Sequence, residues 1–93
     1  MAYQLDAKTI IITGANSGIG KAAAIQLAKL GATVIMACRS AERGARALDE
    51  VRQVSGSHKV ALMQVDMASQ ASIRNFAAEF KQRYARLDVL IHN

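Results

Sequence analysis

Residues Thr13 to Gly20 read Thr-Gly-Ala-Asn-Ser-Gly-Ile-Gly. They lie between the apolar run Thr9-Ile10-Ile11-Ile12 and an alanine-rich helical stretch beginning near Lys21. Glycines at 14, 18 and 20 predict a strand that turns sharply into a helix whose first turn stays bare. Gly14 lets the chain turn, Gly18 lets a phosphate approach the backbone, and Gly20 lets the helix lie close on the strand. The unpaired amides of that first turn, with the positive end of the helix dipole, form a ready anion site. A chain built this way is expected to hold a nucleotide.

Length and composition narrow the class. Ninety-three residues make one domain at most, and an apolar content of 52% excludes disorder. The apolar runs are too short to cross a bilayer, and Met1 to Asp6 has no basic flank followed by a hydrophobic stretch. Cys38 is the one cysteine, so no intrachain disulfide can form. These features predict a cytoplasmic protein with no membrane span. The net charge of +5 comes from scattered basic residues; Arg43, Arg46 and Arg52 share a predicted helix with Glu42, Asp49 and Glu50, which reads as a solvated face. The two Tyr and two Phe do not interleave with the basic residues, so no nucleic-acid partner is expected. No metal site is expected either.

Short apolar runs alternate with helical patterns and no proline or linker interrupts them, so residues 1–93 read as a single domain. Strand one is predicted from Lys8 to Thr13, and helix one from Gly18 to Leu30 with Ile19, Ala23, Leu27 and Leu30 on one face. Gly31 stops it. Strand two spans Thr33 to Cys38 and is apolar throughout, as when both faces are covered. Ser40 caps helix two, which carries Gly44, Leu48 and Val51 inward and ends before Ser55-Gly56. Strand three runs from Val60 to Val65. Ser69 or Ser72 caps helix three, whose stripe of Ile73, Phe76, Ala77, Phe80 and Tyr84 fits packing on a sheet better than a cofactor pocket. Strand four covers Leu87 to Ile91.

Right-handed crossovers joining these elements require a parallel sheet. The expected fold is a doubly wound α/β Rossmann-type sheet of order 3-2-1-4 with three helices. Helices one and two then cover one face, and helix three the other. Strand four falls at an edge although Val89, Leu90 and Ile91 read as interior. That mismatch predicts further sheet, a second copy or another partner beside it.

Three phosphate-binding patterns compete for the glycine segment. A P-loop needs Gly at Ala15 and Ser or Thr at Ala22, so Gly20-Lys21 is a false lead. The pattern G-x-G-x-x-G/A fits through Gly18, Gly20 and Ala23 but leaves Thr13 and Gly14 unexplained. The spacing Thr-Gly-x-x-x-Gly-x-Gly accounts for all four positions. With this spacing the chain resembles the short-chain dehydrogenase/reductase family, and the resemblance covers essentially all 93 residues. Val65-Asp66-Met67 is similar to the family's step whose aspartate meets adenine. Leu87 to Asn93 (Leu-Asp-Val-Leu-Ile-His-Asn) resembles the strand entering its Asn-Asn-Ala-Gly turn, with His92 in place of the first Asn.

The end of strand two bears on the cofactor. An NAD enzyme places an acidic side chain there, about twenty residues after the glycines, to bond the ribose hydroxyls. Here Cys38 is followed by Arg39 and Ser40. A guanidinium can grip a 2′-phosphate that a carboxylate would repel, so NADP is favoured over NAD. One departure is Ser17, where NADP-using relatives often carry a second basic residue. The resemblance implies cofactor contacts from Gly14, Asn16, Ser17, Gly18, Ile19, Gly20, Arg39, Ser40, Asp66, Met67 and Asn93. Cys38 reads as a small buried residue without chemistry.

By resemblance the activity is hydride transfer between NADP(H) and a small carbonyl or alcohol substrate. The family's Tyr-x-x-x-Lys pair is absent from this chain: Tyr3 is followed four residues on by Ala7, and Tyr84 by Asp88. No catalytic residue is therefore assigned, and the resemblance implies the adenosine-binding half of a longer reductase. Met36-Ala37-Cys38-Arg39-Ser40 looks most like the branch with retinol dehydrogenases and similar NADP-linked reductases. A non-catalytic dinucleotide sensor and an interaction module that uses only the fold are the alternatives.

Overall fold

A computed structural model describes residues 5–16 and 18–93. The elements run β1 (Thr9–Thr13), α1 (Gly18–Lys29), β2 (Thr33–Cys38), α2 (Ala41–Ser55), β3 (Val60–Gln64), α3 (Gln70–Arg83) and β4 (Val89–Ile91). One parallel sheet has the order β3-β2-β1-β4. Ile11 of β1 sits opposite Ile35 on one side and Leu90 on the other. This is the doubly wound α/β arrangement expected from the alternation of elements.

Alternation along each strand sorts the core into two layers. Ile10, Ile12, Val34, Met36 and Val60 face α1 and α2, where Ala24, Ala28, Ala47 and Val51 meet them. Ile11, Ile35, Ala37, Met63 and Val65 face α3 and its Phe80. From Val34 to Cys38 every residue of β2 is buried, because strands flank it and helices lie above and below. Each of the fully buried side chains Ile12, Ile35 and Met36 contributes on the order of 1.5–3 kcal/mol through lost contact with water.

The inward face of α1 differs from the expected one. Ile19 is 81% exposed, and the buried row is Gly20, Ala24 and Ala28, with Ala23 and Leu27 partly covered. Residues four apart share a helix face. Close approach at Gly20 sets the rotation of α1, turning the small row to the sheet and leaving Ile19 on the outside of the first turn. Leu30 lies just past the helix end.

In α2, Ser40 Oγ accepts from Arg43 N at 3.2 Å, and Gly44, Ala47 and Val51 are buried while Leu48 is half-buried. Arg52 corrects the reading of a wholly solvated basic face: its guanidinium donates twice to Val60 O, at 2.9 and 3.2 Å, fixing the entry to β3. Ser69 caps α3 by accepting from Ser72 N at 3.1 Å. Ser72 Oγ instead accepts from Asp66 N at 2.8 Å.

Helix α3 covers its sheet face incompletely. Phe80 is buried and stacks on Tyr84 with ring centroids 5.0 Å apart, whereas Ile73 and Ala77 remain exposed. An apolar cavity of about 450 Å³ lies beside them, reaching Ile11, Ala37, Val65 and Leu90. Leu90 is 59% exposed on the edge strand. No helix among the described residues is long and apolar enough to cross a membrane.

β4 begins at Val89 because Asp88 is used as an anchor. Its N–H donates to Thr9 O at 2.9 Å and its Oδ2 accepts from Thr9 N at 2.8 Å, while Arg86 pairs with its other oxygen. The Thr9 amide and the Arg86 guanidinium hold the Asp88 carboxyl below its ordinary pKa. A lowered native pKa stabilises the fold above the unfolded-state value, and that contribution disappears as the pH falls through the native one. Asp88→Asn should therefore lower the thermal midpoint at neutral pH, with the gap to the unmodified protein closing under strongly acidic conditions. A gap independent of pH would show that charge on Asp88 is not its source.

Candidate dinucleotide-binding site

In a parallel sheet the segments following the strands emerge at one edge. Here these are the glycine turn after β1, Arg39-Ser40 after β2, Asp66-Met67 after β3 and His92-Asn93 after β4. The topology thus gathers the sequence-assigned residues at one end of the sheet. Ser17 lies outside the described residues.

The glycine corner has the geometry of a bare-backbone cradle. Gly14 has φ +62°, a conformation that suits glycine, and its N–H donates to Ala37 O at 3.0 Å. At Gly18, φ is +58° and a Cβ would meet nothing within 4 Å, so the backbone faces open space. A Cβ on Gly20 would lie 2.5 Å from Gly14 O and 3.1 Å from Ala15 Cα, which is why α1 can sit so close to the end of β1. The three glycines therefore serve a turn, an open approach and a tight contact. A dinucleotide's diphosphate fits such a cradle; the opening turn of α1 presents backbone amides and has no acidic side chain.

Thr13 closes the corner from below. Among the described residues it is the buried polar one, and its Oγ1 accepts from Asn93 N at 3.0 Å and lies 3.2 Å from His92 Nδ1. Asn93 Nδ2 donates to Gly14 O at 3.1 Å. His92 and Asn93 thus bind the end of β4 to the glycine turn. Cys38 sits under the same turn, 2% exposed. Burial pushes its thiol pKa up, against the opposing pull of the Ala15 and Asn16 amides, so it remains a neutral thiol at physiological pH.

On the far side, Arg39 and Asp66 line a polar cavity of about 270 Å³ with Gln64, whose Nε2 donates to Arg39 O at 3.0 Å. Asp66 is fixed twice: its N–H goes to Ser72 Oγ, and its Oδ1 accepts from Ala68 N at 3.0 Å. It therefore caps the turn before α3, and the exposed Met67 follows it. Ser40 uses its hydroxyl to cap α2, and Ile19 stands exposed beside the open Gly18.

Two features escaped the sequence. Thr13 appeared only as a motif letter, although a polar residue ending an apolar strand is a signal for a buried hydrogen bond. The other is a cleft of about 260 Å³ between the glycine turn and α2, lined by Asn16, Lys21, Arg43, Arg46 and Glu50. Residues 21 and 43–50 come together only in the folded chain. The whole arrangement can bind a dinucleotide through backbone amides and basic side chains.

Comparison with known proteins agrees with the geometry. The short chain dehydrogenase profile matches residues 8–93. Human dehydrogenase/reductase SDR family member 13 is 53% identical over 89 residues, covering 96% of this chain and 24% of the relative. Human retinol dehydrogenase 13 is 44% identical over 86 residues, covering 92% of this chain and 26% of its own length. The chain thus spans about a quarter of these curated relatives. Among solved structures, the RhlG/NADP active-site complex of Pseudomonas aeruginosa superposes with a TM-score of 0.87 at 29% identity, covering 99% of this chain and 36% of that one. With the glycine corner, the strand order and the family profile in agreement, the chain belongs to the short-chain dehydrogenase family.

Proposed function

We propose that the full-length protein is an NADP(H)-dependent oxidoreductase acting on a small carbonyl or alcohol, with these residues supplying the adenosine- and pyrophosphate-binding half. The observation that carries this reading is the open backbone at Gly18, combined with a β2 end that offers Arg39 and no carboxylate. When bound, the nicotinamide supplies the hydride chemistry. The protein's part here is to hold and orient. Amides at Gly18 to Gly20 receive the diphosphate, with Asn16 and the Ser40 loop bordering the ribose. Arg39 takes the 2′-phosphate, and Asp66, through its second carboxylate oxygen, accepts from the adenine amino group beside Met67. Ile19 and Asn93 border the path toward the nicotinamide. The retinol dehydrogenase relatives and the RhlG complex with NADP support the same reading. The proton donor and substrate pocket are assigned to residues outside this chain.

Titrating the full-length protein with NADPH and NADH tests the cofactor assignment. NADPH should bind more tightly, and Arg39→Ala should weaken it about tenfold or more, the usual worth of a charge-assisted contact. NADH affinity should stay nearly constant. Equal losses for both cofactors would remove the 2′-phosphate from Arg39. Turnover of a carbonyl and alcohol panel, followed by absorbance of the reduced nicotinamide, tests the activity; tight NADPH binding with no turnover would favour a sensor.

A further inference from the structure

Six of the twelve lysines and arginines gather at one end of the molecule, although they are scattered along the sequence. In a parallel sheet the crossover helices run back against the strands, so strand entries and helix ends meet at the end opposite the glycine corner. Lys8, Lys59 and Arg86 stand just before β1, β3 and β4, and Lys29, Lys81 and Arg83 lie in the last turns of α1 and α3. All six are exposed. Hydrogen bonds tie these segments together: Thr33 N donates to Lys8 O at 2.9 Å, and Lys59 Nζ to Gly31 O at 3.4 Å.

Two carboxylates share this end, and both are engaged. Asp6 lies 3.9 Å from Lys59, and Asp88 pairs with Arg86 and the Thr9 amide. Among the described residues, Lys8, Lys29, Lys81 and Arg83 are in no ion pair. Helix C-termini draw cations, but each is equivalent to only about half a negative charge, so this end stays positive. Two large apolar side chains are exposed among the cations: Val54, near the end of α2, is 52% exposed, and Leu87, next to Arg86, is 44% exposed. Among the described residues, no exposed aromatic side chain stands there for a nucleic-acid base to stack on. The cations come from separate segments across a broad end, a layout that suits a flat anionic surface.

We propose that this end of the sheet is an interaction surface for a bilayer rich in anionic phospholipid. The cations meet the charged headgroups, and Val54 and Leu87 reach the headgroup boundary. Lysine and arginine suit that level because their stems lie against apolar surface while the charge stays in water. Each such cation near an anionic membrane strengthens attachment about fivefold, so the four unpaired ones together give about a hundredfold or more. The glycine corner, at the opposite end, stays open to solvent. The contact needs no membrane-crossing helix and is independent of the NADP(H) reading.

The test is co-sedimentation of the full-length protein with vesicles of phosphatidylcholine alone, or of phosphatidylcholine and phosphatidylserine in equal parts. At low ionic strength the protein should pellet with the mixed vesicles and not with the neutral ones. Raising the salt to about 0.5 M, where charges act over only about 4 Å, should release it. The combined variant Lys8→Gln, Lys29→Gln, Lys81→Gln and Arg83→Gln should lose about a hundredfold in partitioning, with its thermal midpoint nearly unchanged. Lys29→Glu, a single exposed change, should lose about tenfold and keeps the test decisive if the combined variant does not fold. Arg74→Gln, in the first half of α3, should stay within about twofold of the unmodified protein. No pelleting with mixed vesicles at low salt, equal pelleting with neutral ones, or undiminished pelleting of the folded variants would overturn the proposal. Tighter binding to a duplex DNA fragment than to the mixed vesicles would also overturn it and assign this end to nucleic acid.

Discussion

Gly18→Val should abolish binding of NADPH and NADH together, a loss of more than about a hundredfold for each, since it obstructs the backbone anion site itself. The space beyond Gly18 holds no protein atom within 4 Å of where a Cβ would stand, so a branched side chain would occupy the approach that a diphosphate needs. The backbone at φ +58° also resists a β-branched residue, at a cost of about 1–2 kcal/mol. That strain is small enough for the variant to remain folded. A melting curve separates the effects: the midpoint should fall modestly without cofactor and should no longer rise when NADPH is added, because a ligand that does not bind cannot stabilise. A normal ligand-induced rise would overturn the assignment of this corner. Arg39→Ala, in contrast, is expected to spare NADH.

Gly20→Val should act on the fold before it acts on the cofactor. Its Cβ would lie 2.5 Å from Gly14 O and 3.1 Å from Ala15 Cα, and both are backbone atoms held by β1 and the turn. They cannot rotate aside as a flexible side chain could. Relief requires α1 to lift from the sheet, exposing the Ala24 and Ala28 contacts behind it. Overpacking of this kind costs more than about 3 kcal/mol, a large share of the roughly 5–15 kcal/mol that holds a domain together. Chemical denaturation of the full-length protein should show the midpoint falling sharply, with Gly20→Ala intermediate. A midpoint within experimental scatter of the unmodified protein would mean that the close helix contact is not needed.

Much of the architecture could be read from residue order because local patterns and tertiary packing agree. β2 is apolar at every interior position and is buried on both faces. Ser40 and Ser69 stand where helices begin, and both hydroxyls accept the expected amide. Periodicity failed where something other than side-chain size chose the rotation. In α1 a large Ile19 suggested an inward residue, but contact at Gly20 turned the small row to the sheet. At β4 the stretch Leu87 to Ile91 suggested a longer strand, but Asp88 bonds across to Thr9 and the paired strand starts two residues later, at Val89. The same holds at the site. The glycine spacing identified the turn, since each glycine answers a separate backbone requirement. The cleft lined by Asn16, Lys21 and Arg43 stayed hidden because its walls come from the glycine turn, α1 and α2, and the Lys21–Glu50 pair across it joins residues 29 positions apart.

The clasp between Thr13 and Asn93 has a consequence for biosynthesis. Its partners are 80 positions apart, so the amide of Asn93 reaches the Thr13 hydroxyl only after every intervening element has been made. Contacts of such long range form late, after the entropy of closing the intervening loop has been overcome. A ribosome that has released α1 and β2 has therefore exposed the glycines without finishing their floor. A ligand that needs the finished corner would therefore meet it only after the far end of the sheet has shut it.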